Sequence, residues 1–379
     1  MYIKNIKLKN FRNYRDLDLD FDRSRNVIIG ENAQGKTNLI ESIYLCAFSR
    51  SFRTRSAADM VMIGEKSASV SVEVFSDDLD KNISISLNDR GGKMIKKDGV
   101  VLRRTADLLN NLVVVVFSPE DLRIVKDGPE KRRDFINREM SQLRPSYYNL
   151  LKDYNSVLRE KNALLKEGPE SKNIDMLDIY DLQMAKYGIQ IIRARRKFIS
   201  RLSEIAGGIH SRISGGTEEM RIQYKENTDD QVLQDTIFLQ REKELRLGHA
   251  IAGPHRDDME FYINGMNARN YGSQGQQRTI ALSLKLAEIK IAKEMLGENP
   301  VLILDDVLSE FDLKRQSFLF NEIEDVQQFL TSAEVNRQLI ENMDEGWVFQ
   351  VKNGIARRVT GDLSEIYTGG GSDEVENRK

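Results

Sequence analysis

Apolar residues at the start of the chain are spaced for strands. Ile3, Ile6 and Leu8, then Leu17, Leu19 and Phe21, are separated by Lys, Arg and Asp, which predicts two short strands around the turn Asn10-Phe11-Arg12-Asn13-Tyr14. Val27-Ile28-Ile29 is a third, fully apolar strand, and Leu39, Ile40, Ile43, Tyr44 and Ala47 follow at helical spacing. Residues 68–75 and 81–87 alternate again and lead into the turn Asn88-Asp89-Arg90-Gly91-Gly92. Residues 112–117 are continuously apolar, the pattern of a buried strand.

The texture changes at Ser118-Pro119-Glu120. From Pro129 to about Gly207 the pattern is helical. Leu150, Tyr154, Val157, Leu158 and Leu165 mark one helix; Leu177, Tyr180, Met184, Tyr187, Ile191, Ala194 and Phe198 mark a second. Gly168-Pro169 separates them, which predicts an antiparallel helical hairpin, a short coiled-coil-like arm. Beyond it the pattern predicts a weak strand at 220–224, a charged helix at 229–247 and a β-hairpin at Asn264-Gly265. A long helix at 273–296 follows, then a buried strand Val301-Leu302-Ile303-Leu304 and a helix at 312–323. A strand ends at Phe329-Leu330, and 347–351 is the last strand. The tail 369–379, glycine-rich and then mostly charged, reads as disordered.

At 379 residues the chain is too long for one compact core. The expected division is a head formed by 1–125 and 247–368, with a helical lobe, 126–246, inserted between its halves. No apolar run approaches the roughly 18–20 residues of a membrane span, and the opening reads as a strand rather than a signal peptide. Cys46 is the only cysteine, which excludes a disulfide framework and fits a reducing cytoplasm. The three histidines lack ligand spacing, so no zinc site is expected. With 57 basic and 59 acidic side chains there is no global positive field, so a nucleic-acid surface has to come from local clusters.

Between the third strand and its helix stands Gly30-Glu31-Asn32-Ala33-Gln34-Gly35-Lys36-Thr37, which fits G-x-x-x-x-G-K-[ST] in the strand–loop–helix context that this motif requires. Its glycines turn backbone N–H groups toward one anion, and the helix N-terminus adds its positive end. Lys36 would neutralise β- and γ-phosphates, and the Thr37 hydroxyl would ligate Mg²⁺. The strand at 301–304 runs into Asp305-Asp306. At the end of a buried strand Asp305 can hold the Mg²⁺, while Asp306 can orient an attacking water. Lys36 and Asp305 lie far apart in the chain, so a large insertion splits one nucleotide-binding domain. Tyr271-Gly272-Ser273-Gln274-Gly275-Gln276-Gln277-Arg278 opens the long helix. Ser273 is a natural N-cap with glycines beside it, a second phosphate-sized site.

Taken in order, the glycine loop, this helix start and the acidic strand resemble the ABC-type ATPases. Asn10-Phe11-Arg12-Asn13-Tyr14 resembles the opening of their SMC-like branch. Phe117-Ser118-Pro119-Glu120-Asp121-Leu122, Gly253-Pro254-His255-Arg256-Asp257-Asp258, the Ser273 run and Leu304-Asp305-Asp306-Val307-Leu308-Ser309-Glu310-Phe311-Asp312 resemble the bacterial RecF family over nearly the whole chain. The resemblance implies an α/β P-loop ABC/SMC-like ATPase head with mixed sheets and an inserted, mainly helical second lobe. It implies ATP and Mg²⁺ as cofactors, an ATP-dependent homodimer and DNA binding. It also implies weak, DNA-stimulated ATP hydrolysis, and a cytoplasmic role in recombinational repair, replication gaps and the SOS response with RecR and RecO. By the same match, Ser273 and Gly275, with Gln276 in the same site, meet the γ-phosphate held by the opposite subunit. Arg12 and Asn13 contact the nucleotide in cis, and Ser309-Glu310-Phe311-Asp312 takes the place of the interface-crossing D-loop. Two positions depart from the wider class. Asp306 stands where most members have Glu, and Thr331-Ser332-Ala333 where many have His. Ser118 or Glu120 stands in for the usual Gln.

Arg50/Arg53/Arg55, Arg103/Arg104, Lys131/Arg132/Arg133 and Arg193/Arg195/Arg196/Lys197 are the basic clusters that phosphates would meet, the first and last being favoured. A metabolic P-loop kinase is disfavoured by the wide Lys36–Asp305 separation. A transporter ATPase is disfavoured by the helical arm and the Arg12 turn.

Overall fold

A computed structural model of the chain describes residues 1–170, 173–323, 325–332 and 346–360, so Ala333 and the tail 369–379 lie outside the described residues. The strands Tyr2–Phe11 (β1) and Tyr14–Asp20 (β2) precede Arg25–Ile29 (β3) and the helix Lys36–Phe48 (α1). Ser67–Ser76 (β4), Leu79–Asn88 (β5), Lys93–Lys97 (β6), Val100–Val101 (β7) and Val114–Phe117 (β8) follow. The helical stretch comprises Pro129–Leu143 (α2), Pro145–Glu167 (α3) and Met176–Ser214 (α4). Then come Met220–Lys225 (β9), Leu233–Leu247 (α5), Asp258–Ile263 (β10), Met266–Asn267 (β11), Ala268–Tyr271 (α6) and Gln274–Leu296 (α7). Val301–Asp305 (β12), Leu313–Glu322 (α8), Gln328–Ser332 (β13), Trp347–Lys352 (β14) and Ile355–Arg358 (β15) complete the described elements.

The chain packs as two units. The first holds Met1–Leu102, Val301–Asp306 and Asp325–Lys379; the second holds Arg103–Pro300 and Val307–Glu324. This differs from a division at 126 and 246, because α4 runs 39 residues, to Ser214, and packs against α7 and β9 as well as against α3.

In the first unit, β2-β1-β4-β5-β6-β7 form an antiparallel sheet. Val70, Val72 and Val74 face one side with Ile83, Ile85 and Leu87, while Ser71 pairs with Ser84 between them. Ile3 and Ile6 are both buried although three apart, because a register shift between Ile3 and Asn5 lets the strand bulge. A second sheet contains the order β15-β14-β3-β13-β12. Strands β3, β12, β13 and β14 run parallel and are mostly buried, as strands of a parallel sheet covered on both faces are. The strand expected to end at Leu330 continues to Ser332. Val351 is not the end of the last strand: Asn353 (φ 49°) and Gly354 (φ 73°) turn the chain into β15.

In the second unit the helical hairpin does not stand free as a coiled-coil-like arm. Helix α5 packs on both α3 and α4. Lys161 Nζ lies 2.7 Å from Asp181 and 2.5 Å from Glu244, and all three side chains are fully buried. Desolvating such a group is offset only by close opposite charge, which Asp181 of the hairpin and Glu244 of α5 both supply. Helix α5 begins at Leu233 rather than 229, since the Asp230 carboxylate pairs with Arg193 and Arg196 of α4. No helix among the described residues is long and apolar enough to cross a membrane.

Candidate nucleotide-binding site

The glycine loop connects β3 to α1 and takes conformations that only small residues tolerate. Gly30 (φ 155°) has no room for a side chain: a Cβ there would stand 2.3 Å from the Val351 carbonyl oxygen. At Gly35 (φ 124°) it would stand 2.6 Å from Asn13 Nδ2. Helix α1 starts with no side-chain cap and no acidic residue in its first turn, so its first N–H groups are left for an anion from outside. Lys36 is folded over the loop, its ammonium donating to the carbonyls of Gly30 (2.6 Å) and Glu31 (2.9 Å). Burial lowers the Lys36 pKa, while Asp306 and Asp305 pull it back up.

The loop is braced from two directions. Tyr14 donates to the Gly35 carbonyl at 3.0 Å and Asn13 Nδ2 to the Gln34 carbonyl at 2.8 Å, and Asn38 holds Asn13 by its Oδ1. The turn between β14 and β15 supplies the other side. The Gly354 amide donates to the Gln34 carbonyl (3.1 Å) and the Asn353 amide to Gln34 Oε1 (2.7 Å). The sequence signal for that turn was Asn-Gly between apolar residues.

Asp305 reaches the same place through the sheet. Register sets Asp305 beside Thr331, and Thr331 beside Ile28, so β12 ends level with the strand that feeds the glycine loop. Thr37 Oγ1 is 3.5 Å from Asp305 Oδ1. The Thr331 hydroxyl donates to that oxygen at 2.7 Å and accepts from the Asp306 amide at 3.0 Å. Thr331, noted in the sequence only as a departure from His, thus ties the two acids together. Burial pushes the Asp305 carboxyl up and Asp306 adds to the push, while hydrogen bonds from Thr331 and Thr37 oppose it. Asp306 follows at φ 55° with an exposed side chain. An acid raised by burial and by a neighbouring acid is a carboxylate short of positive charge. A hard, oxygen-seeking divalent cation fits Thr37 and Asp305, because Mg²⁺ takes few protein ligands and completes its shell with phosphates and water.

Asn13 braces the loop itself, whereas Arg12 is paired on α1. Arg12 grips buried Glu41 through two nitrogens (2.8 and 2.6 Å) and donates to the Asp59 carbonyl. The Ser51 hydroxyl shares Glu41, and Arg53 donates to Asn38 Oδ1 at 2.7 Å.

Ser273, Gly275 and Gln276 lie in the other packed unit. Ser273 caps α7 in a full capping box: its Oγ accepts from the Gln276 amide (3.2 Å), and its own amide donates to Gln276 Oε1 (2.9 Å). Glu310 and Asp312 are tied to the same helix. Arg278 donates to Glu310, and Arg315 bridges Asp312, the Gly275 carbonyl and Thr279.

The three arginines of the arm-helix basic cluster are paired with acids of the fold. Arg195 is 2% exposed and donates to Asp257, the Pro254 carbonyl and Asn137. Arg193 and Arg196 hold Asp230, and Arg196 also holds Glu226. In the 131–133 cluster, Arg132 is buried in a two-point pair with Asp258, and Arg133 donates to the Asp257 carbonyl. Arg50 and Arg55 are exposed. Ser118 does not present a free hydroxyl; it donates to Asp121.

The Gly-Pro-His-Arg-Asp-Asp run is therefore a structural junction. Asp257 also accepts from Tyr224 and from the Asn227 amide, while a Cβ at Gly253 would meet the Tyr154 hydroxyl at 2.6 Å. His255 Nε2 faces the Ala250 carbonyl (3.1 Å) and Nδ1 the Tyr154 hydroxyl (2.7 Å). A carbonyl only accepts, so Nε2 carries the proton, Tyr154 donates to Nδ1, and the ring is neutral. Burial pushes its pKa down to about 4. A histidine neutral in the fold and charged when unfolded contributes stability that is complete above about pH 6.5 and is lost as pH falls toward 4, up to about 3 kcal/mol. Urea melts between pH 7.5 and 4.5 should show this loss, and His255→Gln should flatten it. An unaltered slope in the variant would assign the acid sensitivity to other groups.

The comparison with known proteins agrees with this geometry. Residues 2–357 match the RecF/RecN/SMC N-terminal domain family. The DNA replication and repair protein RecF of Clostridium kluyveri is 40% identical over 365 residues, covering 95% of this chain and 100% of its own. RecF of Acetivibrio thermocellus is 43% identical over 357 residues, covering 91% and 96%. Among solved structures, the recombination mediator protein RecF-ATPrS in the RecFOR pathway matches with a TM-score of 0.88 at 34% identity, covering 95% of this chain and 98% of that one. The SMC head bound to the C-terminal winged-helix domain of ScpA, 14% identical, shares the fold with a TM-score of 0.56 and covers 97% and 100%. Matches of this identity that run nearly end to end in both chains carry family membership with them: this chain belongs to the bacterial RecF family and has the SMC-like ATPase head fold.

Proposed function

We propose that this protein binds ATP and DNA, pairs with a second copy of itself when ATP is bound, and uses slow hydrolysis to separate again. Its setting would be recombinational repair and replication gaps in the cytoplasm, including SOS induction, with RecR and RecO as partners. The family supports the setting: relatives are named DNA replication and repair proteins, and neighbouring RecF structures carry ATP or ATPrS in the RecFOR pathway. One observation carries the chemistry: Lys36, Thr37, Asp305 and Asp306 converge at an uncapped helix start.

In this reading residues 30–37 wrap the phosphates and Lys36 exchanges its loop carbonyls for β- and γ-phosphate oxygens. Thr37 and Asp305 would hold Mg²⁺, which supplies charge neutralisation of the transferring phosphoryl group. Asp306 accepts a proton from, and orients, the attacking water. Its side chain is one methylene shorter than the usual Glu, so turnover is slow and DNA binding accelerates it. Arg12 and Asn13 reach the nucleotide in cis, Arg12 exchanging Glu41 for a phosphate oxygen. Ser273, Gly275 and Gln276 of one copy meet the γ-phosphate on the other, and Ser309–Asp312 crosses beside them. By chemistry the head is then 1–125 with 247–368, and 126–246 is an inserted lobe.

Sedimentation with ATP, ADP or no nucleotide tests the proposal. Pairing is expected with ATP alone, and equal pairing with ADP would overturn it. DNA binding should weaken steeply with salt and ignore base sequence. Replacing exposed Arg50 and Arg55 by Ala should reduce the salt slope by about 2, the contribution of two phosphate contacts. An unchanged slope would remove that loop from the DNA surface.

A further inference from the structure

We infer that Glu218, anchored by buried His210, is a positioning residue for the Ser273 turn. The inference rests on the reading above, in which that turn is offered to the nucleotide of a second copy. In the capping box the Ser273 hydroxyl oxygen accepts from the Gln276 amide, which leaves the hydroxyl hydrogen to donate outward, to an anion. The box depends on which way the Gln276 carboxamide faces. Its Oε1 must point at the Ser273 amide, and a half-turn would set an NH₂ group against that N–H.

Glu218 removes the ambiguity. Its Oε1 lies 2.8 Å from Gln276 Nε2, and a carboxylate only accepts, so the amide nitrogen is held on that side. The second oxygen, Oε2, is 2.8 Å from Nε2 of His210, which is fully buried on α4. The ring gives its one proton to Glu218 and keeps Nδ1 without a hydrogen-bond partner, so a second proton would find no acceptor. Burial lowers the His210 pKa accordingly. Glu218 reaches this place because Gly215 (φ 69°) and Gly216 (φ 79°) reverse the chain between α4 and β9. On the other side of the turn, Arg315 of α8 holds the Gly275 carbonyl at 3.2 Å and Thr279 Oγ1 at 3.0 Å. The first turn of α7 is thereby clamped between a carboxylate and a guanidinium. Glu218 itself touches no nucleotide; it acts through Gln276 on Ser273.

A double-mutant cycle on ATP-driven pairing, read by sedimentation with ATP in the full chain, tests this. Glu218→Ala should weaken pairing about ten-fold, leave ATP affinity of the single chain unchanged, and weaken it no further in a Ser273→Ala background. Additive losses, or wild-type pairing by Glu218→Ala, would overturn the role. Amide hydrogen exchange reads the same turn without nucleotide. The Ser273 and Gln276 amides should exchange about ten-fold faster in Glu218→Ala, with the α7 interior unaffected. Unchanged exchange at those two amides also overturns it. If the unsubstituted protein fails to pair with ATP, the functional reading falls, and exchange alone decides the place of Glu218.

Discussion

Ser273→Arg is expected to bind ATP as the unsubstituted protein does and to lose ATP-driven pairing by on the order of 100-fold or more. Two physical effects add. Arginine cannot cap α7, which costs about 1 kcal/mol at a serine N-cap. Its bulk also occupies space that the partner copy's phosphate needs, a built-in clash of the kind that separates permitted from forbidden partners. Asp306→Asn should do the reverse. It removes the carboxylate that handles the water's proton and keeps Asp305 and Thr37, so the variant should pair with ATP and stay paired. Mixing Ser273→Arg with Lys36→Ala chains sharpens the test. The mixed pair retains one complete composite site, Lys36 from the first and Ser273 from the second, and should associate when neither variant does alone. Normal pairing by Ser273→Arg would show that the α7 start is not a site acting across two copies.

Lys36→Ala is the other large effect. An ammonium donating to phosphate oxygens is a charge-assisted contact, and its loss should weaken ATP binding about 100-fold in calorimetry. In the fold Lys36 is 7% exposed and closes the loop on itself through Gly30 and Glu31. The variant should therefore also lose about 1 kcal/mol of stability without nucleotide. Unchanged ATP affinity would remove the phosphate-loop assignment.

The parts of this protein that were legible in the sequence are those whose physics is local. The glycine loop announces itself because β3 and α1 carry their own periods on either side of it, and the positive φ values of Gly30 and Gly35 are needs of single residues. The capping box of Ser273 and Gln276 closes within one helical turn, and Asp305 follows directly on its apolar strand. Other features were decided only by tertiary structure, since each joins partners far apart in the chain. Thr331 became the bridge between Asp305 and Asp306 when β13 was laid between β3 and β12. The brace from Asn353 and Gly354 onto Gln34 spans most of the sequence. Arg195 looked like a cation for phosphates because a sequence shows charge without its partner. Folding set Asp257 against it, in a place where an unpaired guanidinium would be too costly to bury. Glu218 belonged to no motif, and it lies beside Gln276 only because two glycines turn the chain back from α4. Spacing along the chain reports what a residue does for its own helix or strand. Which distant charge or backbone group it meets follows from how those elements stack, and no local period encodes that.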